Sequence, residues 1–160
     1  MIPTVDERIA SVIRALSDVI LPHLPPEASL AQEQAQLAIG HLQILRAQID
    51  QVPDFEREEL VDYCALAKAL RDAISGRAAT TAALAGIDTA LANSRGLGVR
   101  EKRKAVNGAV ERLIDAVSDD GDADARARLT GLILEHEKAR SLKDRKWFAP
   151  FGFDTLAGDA

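Results

Sequence analysis

Apolar residues recur three and four positions apart through most of this chain, and no segment alternates convincingly with a period of two. That periodicity confines the fold to helices. The aliphatic, alanine-rich character agrees, since only six residues are Phe, Trp or Tyr and a sheet would be richer in aromatic and β-branched side chains. Proline and glycine then divide the periodic stretches. Thr4 and Glu7 form a capping-box pattern ahead of Val5, Ile9, Val12, Ile13, Leu16, Val19 and Ile20, which predicts a first helix to about Leu21, stopped by Pro22, Pro25 and Pro26. A second helix begins near Pro26 or Ser29 and runs to about Val52, with Ala35, Leu42 and Ile49 in heptad spacing. Its other face is rich in glutamine, with Pro53 ending it and Asp54 placed to cap the next.

The third helix should bury Leu60, Tyr63, Leu66, Ala67, Leu70 and Ile74. Past Gly76 the stripe changes direction to Leu84, Ile87 and Leu91. This reads as a break followed by an Ala/Thr-rich helix, with one long bent helix from Phe55 to Asn93 as the rival. Ala78–Ala92 offers little apolar area of its own, so it is expected to pack closely on a neighbour or across a dimer. Val99, Val106, Val110, Leu113 and Val117 set a further helix, Ser118–Asp124 an acidic loop, and Ala125, Leu129, Leu132 and Ile133 a last helix to about Lys146. The expected fold is all-α, an up-and-down helical bundle of four to five main helices. Residues 1–146 form the helical domain in this reading.

The remaining residues, 147–160, are expected to be a non-helical tail. It carries four of the six large rings, Trp147, Phe148, Phe151 and Phe153, in a stretch rich in proline and glycine. Rings of that size are buried somewhere, either on the chain's own domain or on a partner or second copy, where aromatic anchors supply affinity. Lys143, Arg145 and Lys146 precede it, suited to the negative end of a helix or to the rim of an acidic surface.

Function classes narrow by exclusion. At 160 residues the chain suits one domain able to bury a core. A net charge of −5 argues against a general nucleic-acid coat, and no apolar run approaches the ~20 residues that span a bilayer. The single cysteine, Cys64, excludes an internal disulfide and a cysteine-rich zinc site. A cytoplasmic protein without a cofactor is the expectation, and no enzyme class is indicated.

Three constellations invite chemistry. His41, flanked by Gln34 and Gln48 on the second helix, and His136, one turn past Leu132 on the last, both project onto apolar faces. They could serve as a ligand or metal pair, although imidazoles on such faces are more often simply hydrogen-bonded in a core, and the Glu-x-x-His repeat of di-metal bundles is missing. Asp120, Asp122 and Asp124 match the start of a calcium loop. Ala125 and Gly131 then stand where glycine and a bidentate glutamate are required, which leaves a solvated loop and helix cap. Arg95, Arg100 and Arg103, with Lys102 and Lys104, cluster beside Gly96 and Gly98 at a helix start and could hold an anion. The Gly-Lys-Ser/Thr ending of a phosphate loop and its preceding strand are missing.

The opening PTVDERIASVIRALSDVILPHL, with LAQEQAQLAIGHLQILRAQID after it, resembles the first two helices of a family of small uncharacterised bacterial helical proteins. Members are often encoded beside aminoglycoside-phosphotransferase-like and acyl-CoA-dehydrogenase-like enzymes. The ending KDRKWFAPFGFD is similar to that family's lysine-rich last helix. The resemblance covers roughly the first 50 and last 20 residues. It implies a helical bundle with an accessory role beside a kinase-like or acyl-CoA enzyme, and it carries no catalytic residues. The residues themselves lead to the expectation of a non-catalytic interaction or accessory protein that works through the aromatic tail and one helix face.

Overall fold

The computed structural model describes residues 3–93 and 96–151. Among these residues there are six α-helices and no strand: α1 (Val5–Arg14), α2 (Ser29–Gln48), α3 (Val52–Ala73), α4 (Ala78–Ala92), α5 (Val99–Asp120) and α6 (Ala123–Phe148). The chain is therefore all-α, with six helices where the sequence reading expects four to five. It separates into two units, Met1–Pro53 and Asp54–Ala160, a division that the apolar periodicity does not announce.

In the first unit, α1 starts at the expected capping box. Glu7 N donates to Thr4 Oγ1 at 3.2 Å, and Thr4 N donates to Glu7 Oε2 at 2.6 Å. The helix continues beyond Arg14 as a π-helical turn, Ala15–Ile20, and a 3₁₀ turn, Leu21–His23, that accommodates Pro22. α1 and α2 pair through Arg46, whose Nε and Nη2 reach the two carboxylate oxygens of Asp6 at 2.6 and 3.1 Å. That two-pronged contact holds the Asp6 carboxyl below its ordinary range and the Arg46 guanidinium above its own. Only Ile9 is buried on α1 and no residue is on α2.

α2 ends at Gln48, earlier than expected. Pro53 is not its terminator but sits in the first turn of α3, where a missing N–H leaves no hydrogen bond unmade. Asp54 joins that first turn and pairs with Arg57.

The second unit holds the main core. Leu66, Ala67, Leu70 and Ile74 of α3 and its end, Ile87 of α4, Val106, Val110, Leu113 and Val117 of α5, and Ala125 and Leu129 of α6 form one buried cluster. Cys64 packs at its edge. α3 and α4 are separate helices, broken around Gly76. A side chain there would place its Cβ 2.5 Å from Cβ of Thr80, so only glycine lets the chain turn this tightly into α4. The Ala/Thr-rich α4 packs closely on α5 of the same chain, because its small side chains allow the two backbones to approach. Gly121 makes the equally tight turn from α5 to α6, where an added Cβ would lie 2.5 Å from the Val117 carbonyl oxygen.

The expected acidic loop is reduced to Gly121 and Asp122. Ser118, Asp119 and Asp120 belong to α5, and Asp122 caps α6 by accepting from Ala125 N at 2.7 Å. Asp120 has a different task. Its carboxylate reaches across 40 residues to the start of α4 and accepts from Ala79 N at 2.7 Å, from Thr80 N at 3.2 Å and from the Thr80 hydroxyl. No side chain within α4 caps that helix, so the capping group comes from the end of α5. The Thr80 hydroxyl and these backbone donors hold the Asp120 carboxyl below its ordinary value of 3.8.

Trp147 and Phe148 are a further correction to the expected non-helical tail. Both lie in α6, which runs on into a 3₁₀ turn, Ala149–Phe151. Nothing breaks the helix before Pro150, and proline disfavours helix only from the residue preceding it. Trp147 is half-buried, its ring 4.4 Å from that of Phe55 on α3.

Candidate functional site

Two features of the described residues stand apart from the core. The first is a pair of adjoining recesses in the second unit. One, of about 420 Å³, lies between α3 and α6 over Leu66, Ala69, Leu132 and Ala139. The other, of about 450 Å³, is bounded by Arg100, Arg103, Lys104 and Asn107 of α5. Glu59 and Tyr63 of α3 and Arg140 of α6 line both, so these three side chains are the wall between them.

Helical spacing explains this placement. Glu59 and Tyr63 lie four apart on α3, His136 and Arg140 four apart on α6, and Arg100, Arg103 and Lys104 within one turn of α5. Each set therefore faces one way. Ion pairs stitch the helices at the rim. Arg100 Nε donates to Glu56 Oε1 at 2.7 Å, Arg103 pairs with Glu59, and Lys143 donates to Asp62 Oδ2 at 2.6 Å with Glu58 at 3.3 Å. The hydrogen bond to Asp62, reinforced by Glu58, keeps the Lys143 ammonium protonated above its ordinary range.

The interior is less well matched. Arg140 Nη1 donates to Tyr63 Oη at 3.3 Å and to Glu137 at 3.4 Å, both long contacts, and its Nε lies 3.9 Å from Asp144. Arg140 Nε and His136 Nε2 are both enclosed by protein and have no hydrogen-bond partner among the described residues. The His136 ring tilts against Tyr63 with centroids 5.0 Å apart. Lys104 is exposed and has no ion-pair partner among the described residues.

The second feature is aliphatic surface on the first unit. Val5, Val12, Val19 and Ile20 are exposed on α1 and its continuation, and Leu30, Leu37 and Leu45 on α2. Leu30 and Leu37 are one heptad apart and Leu45 lies two turns further on, so the α2 seam extends ~22 Å along the helix. α2 is also poor in charge, with Glu33 and Arg46 as its only acidic and basic residues and five glutamines beside them.

The residues singled out in the sequence distribute unevenly. His136, Arg100 and Arg103 line the recesses. His41 and Gln34 are exposed on α2, because that helix buries no residue at all, so the apolar stripe around His41 is not an interior face. His41 belongs to the first unit and His136 to the second. No group of three His, Cys, Asp or Glu side chains that could hold a metal ion occurs among the described residues. Phe148 is exposed. Arg95, Phe153 and the side chain of Phe151 lie outside the described residues. Sequence reasoning missed Arg140, Tyr63 and Glu59. Four-residue spacing on α3 and α6 was the available signal, but nothing local links those helices to Arg100–Lys104.

No protein-family model, curated protein or solved structure matches this chain. No helix among the described residues is long and apolar enough to cross a membrane.

Proposed function

We propose that this protein is a non-catalytic helical interaction protein that associates with a second copy of itself through its first unit. The observation that carries this reading is the aliphatic seam of α2, Leu30, Leu37 and Leu45, together with Val5, Val12, Val19 and Ile20. A unit of 53 residues with one buried side chain among its described residues has little core of its own, and its exposed apolar surface gains most by being covered. The occupant is a like surface. α2 is nearly uncharged, so two copies approach without like-charge repulsion, and heptad-spaced leucines interlock as in other helix pairs. Pairing two such hairpins makes an up-and-down four-helix bundle. In this reading the C-terminal rings are not the main anchor, because Trp147 already packs on Phe55.

Light scattering on the full chain, on Leu37→Glu and on Leu134→Glu tests this, since Leu134 is an exposed leucine of the second unit. The expected result is a dimer for the full chain and for Leu134→Glu, with a helical monomer for Leu37→Glu. A full chain that remains monomeric up to high micromolar concentration would overturn self-association. Equal loss of the dimer in both variants would show that the contact is not made by the α2 seam.

A further inference from the structure

We infer that the adjoining recesses of the second unit form one binding site for an anionic amphiphile, a molecule with a carboxylate or phosphate head on an apolar body. This stands independently of self-association, which rests on the other unit. Three observations lead to it.

The first is the division of chemistry between the recesses. The one between α3 and α6 has an aliphatic floor of Leu66, Ala69, Leu132 and Ala139 inside a rim that carries Glu59, Asp62, Glu135 and Asp144, which keeps an anionic head out of it. The one beside α5 presents Arg100, Arg103, Lys104 and Arg140 against a single lining carboxylate, Glu59. A purely inorganic anion would use only the second, and a neutral apolar molecule only the first. Each volume lies within the ~300–1,000 Å³ typical of small-molecule sites.

The second is the state of the cations. Arg100 and Arg103 are engaged by Glu56 and Glu59, so they shape the wall. Lys104 has no ion-pair partner among the described residues, and Arg140 is held only by contacts of 3.3 Å or longer. An entering oxyanion would take Arg140 from Glu137 and Asp144 at little cost, since those pairs are long and partly exposed, and would gain Lys104 outright.

The third is the pair of enclosed, unpartnered nitrogens, Arg140 Nε and His136 Nε2. Buried polar atoms are almost always hydrogen-bonded, and both side chains line the recess between α3 and α6, so a small rotation of either brings its covered nitrogen to a group held there. Arg140 stands at the wall between the recesses, where the head would sit. His136 lies on the apolar side, placed to meet a carbonyl or hydroxyl a few atoms along the body. Tyr63, between them, offers its ring to the body and its hydroxyl to the head.

Titration calorimetry of the full chain with decanoate, decyl phosphate, decanol and inorganic phosphate, each below its micelle-forming concentration, tests the site. Decanoate or decyl phosphate, or both, should bind one per chain, and the tighter of the two identifies the head group. Decanol, which lacks the charged head, and inorganic phosphate, which lacks the apolar body, should each bind about tenfold or more weaker. Lys104→Gln and Arg140→Gln should each weaken the anionic amphiphile about tenfold, and the His136 ring resonances should move on binding. Lys104 is exposed, so its variant remains informative if Arg140→Gln fails to fold. Decanol binding as tightly as decanoate, unchanged affinity in Lys104→Gln, His136 resonances that do not move, or no saturable binding of either anion would each overturn the inference.

Discussion

Replacing Leu113 by alanine tests the placement of the core directly. Leu113 is fully buried at the middle of α5, in one cluster with Ile87 of α4, Leu70 of α3 and Leu129 of α6. The substitution removes three carbons, each contributing ~0.8 kcal/mol of transfer free energy when buried. Helices on several sides cannot all collapse inward, so a cavity term adds to this. The expected loss is about 3–4 kcal/mol, inside the range of leucine truncations in well-packed cores. Leu134, on α6, is the control. It is 54% exposed, and its replacement by alanine should cost less than ~1 kcal/mol because helix propensity improves as the small burial is lost. Urea unfolding followed by Trp147 emission reads the second unit alone, since Trp147 is the single tryptophan and rests on Phe55. The midpoint should fall by about 1–4 M in Leu113→Ala at unchanged slope, for slopes of ~1–3 kcal/mol per molar. A loss below ~1 kcal/mol, or equal losses in the two variants, would refute the core described for α3 to α6.

Two further outcomes follow from the same packing. Gly76→Ala should destabilise by about 1–3 kcal/mol, because the new Cβ meets the Thr80 Cβ, an atom fixed by its own backbone, whereas Gly131→Ala in α6 meets nothing within 4 Å and should stabilise by ~0.5–1 kcal/mol; thermal melts of both decide it. For Asp120 the folded carboxyl titrates below its ordinary 3.8, so its contribution is fully present above pH 3.8 and is lost as the pH falls through the folded value. Stability measured across pH 2–6 should therefore fall less steeply with acid in Asp120→Asn than in the parent, and identical acid limbs would show that the cap on α4 is not formed in solution.

Helix identity was largely readable from residues close in sequence. Thr4 and Glu7 place the first N-terminus because a capping box closes within four residues, and the change of stripe past Gly76 marks the break that α3 and α4 make. Small residues in Ala78–Ala92 announce a closely packed helix, which α5 provides. The end of the chain was harder. Proline and glycine suggested that Trp147 and Phe148 are not helical, but proline acts only from its preceding residue, so α6 extends to Phe148. His41 shows the limit of a projected stripe. A helical wheel states which residues share a face and not whether that face is covered, and on α2 it is not.

Local hydrogen bonding and side-chain period act over three or four residues, and for that reason the sequence by itself determined an all-α chain, most helix boundaries and most buried positions of α3 and α5, Leu60, Tyr63 and Val99 being only half-buried. Contacts between helices depend on which faces meet across 40 to 80 residues, and no local pattern encodes them. Only the tertiary structure decided that Asp120 caps α4, and that Arg140 and Tyr63 stand beside Arg103. The same holds for an apolar seam on α2 that its own unit leaves open.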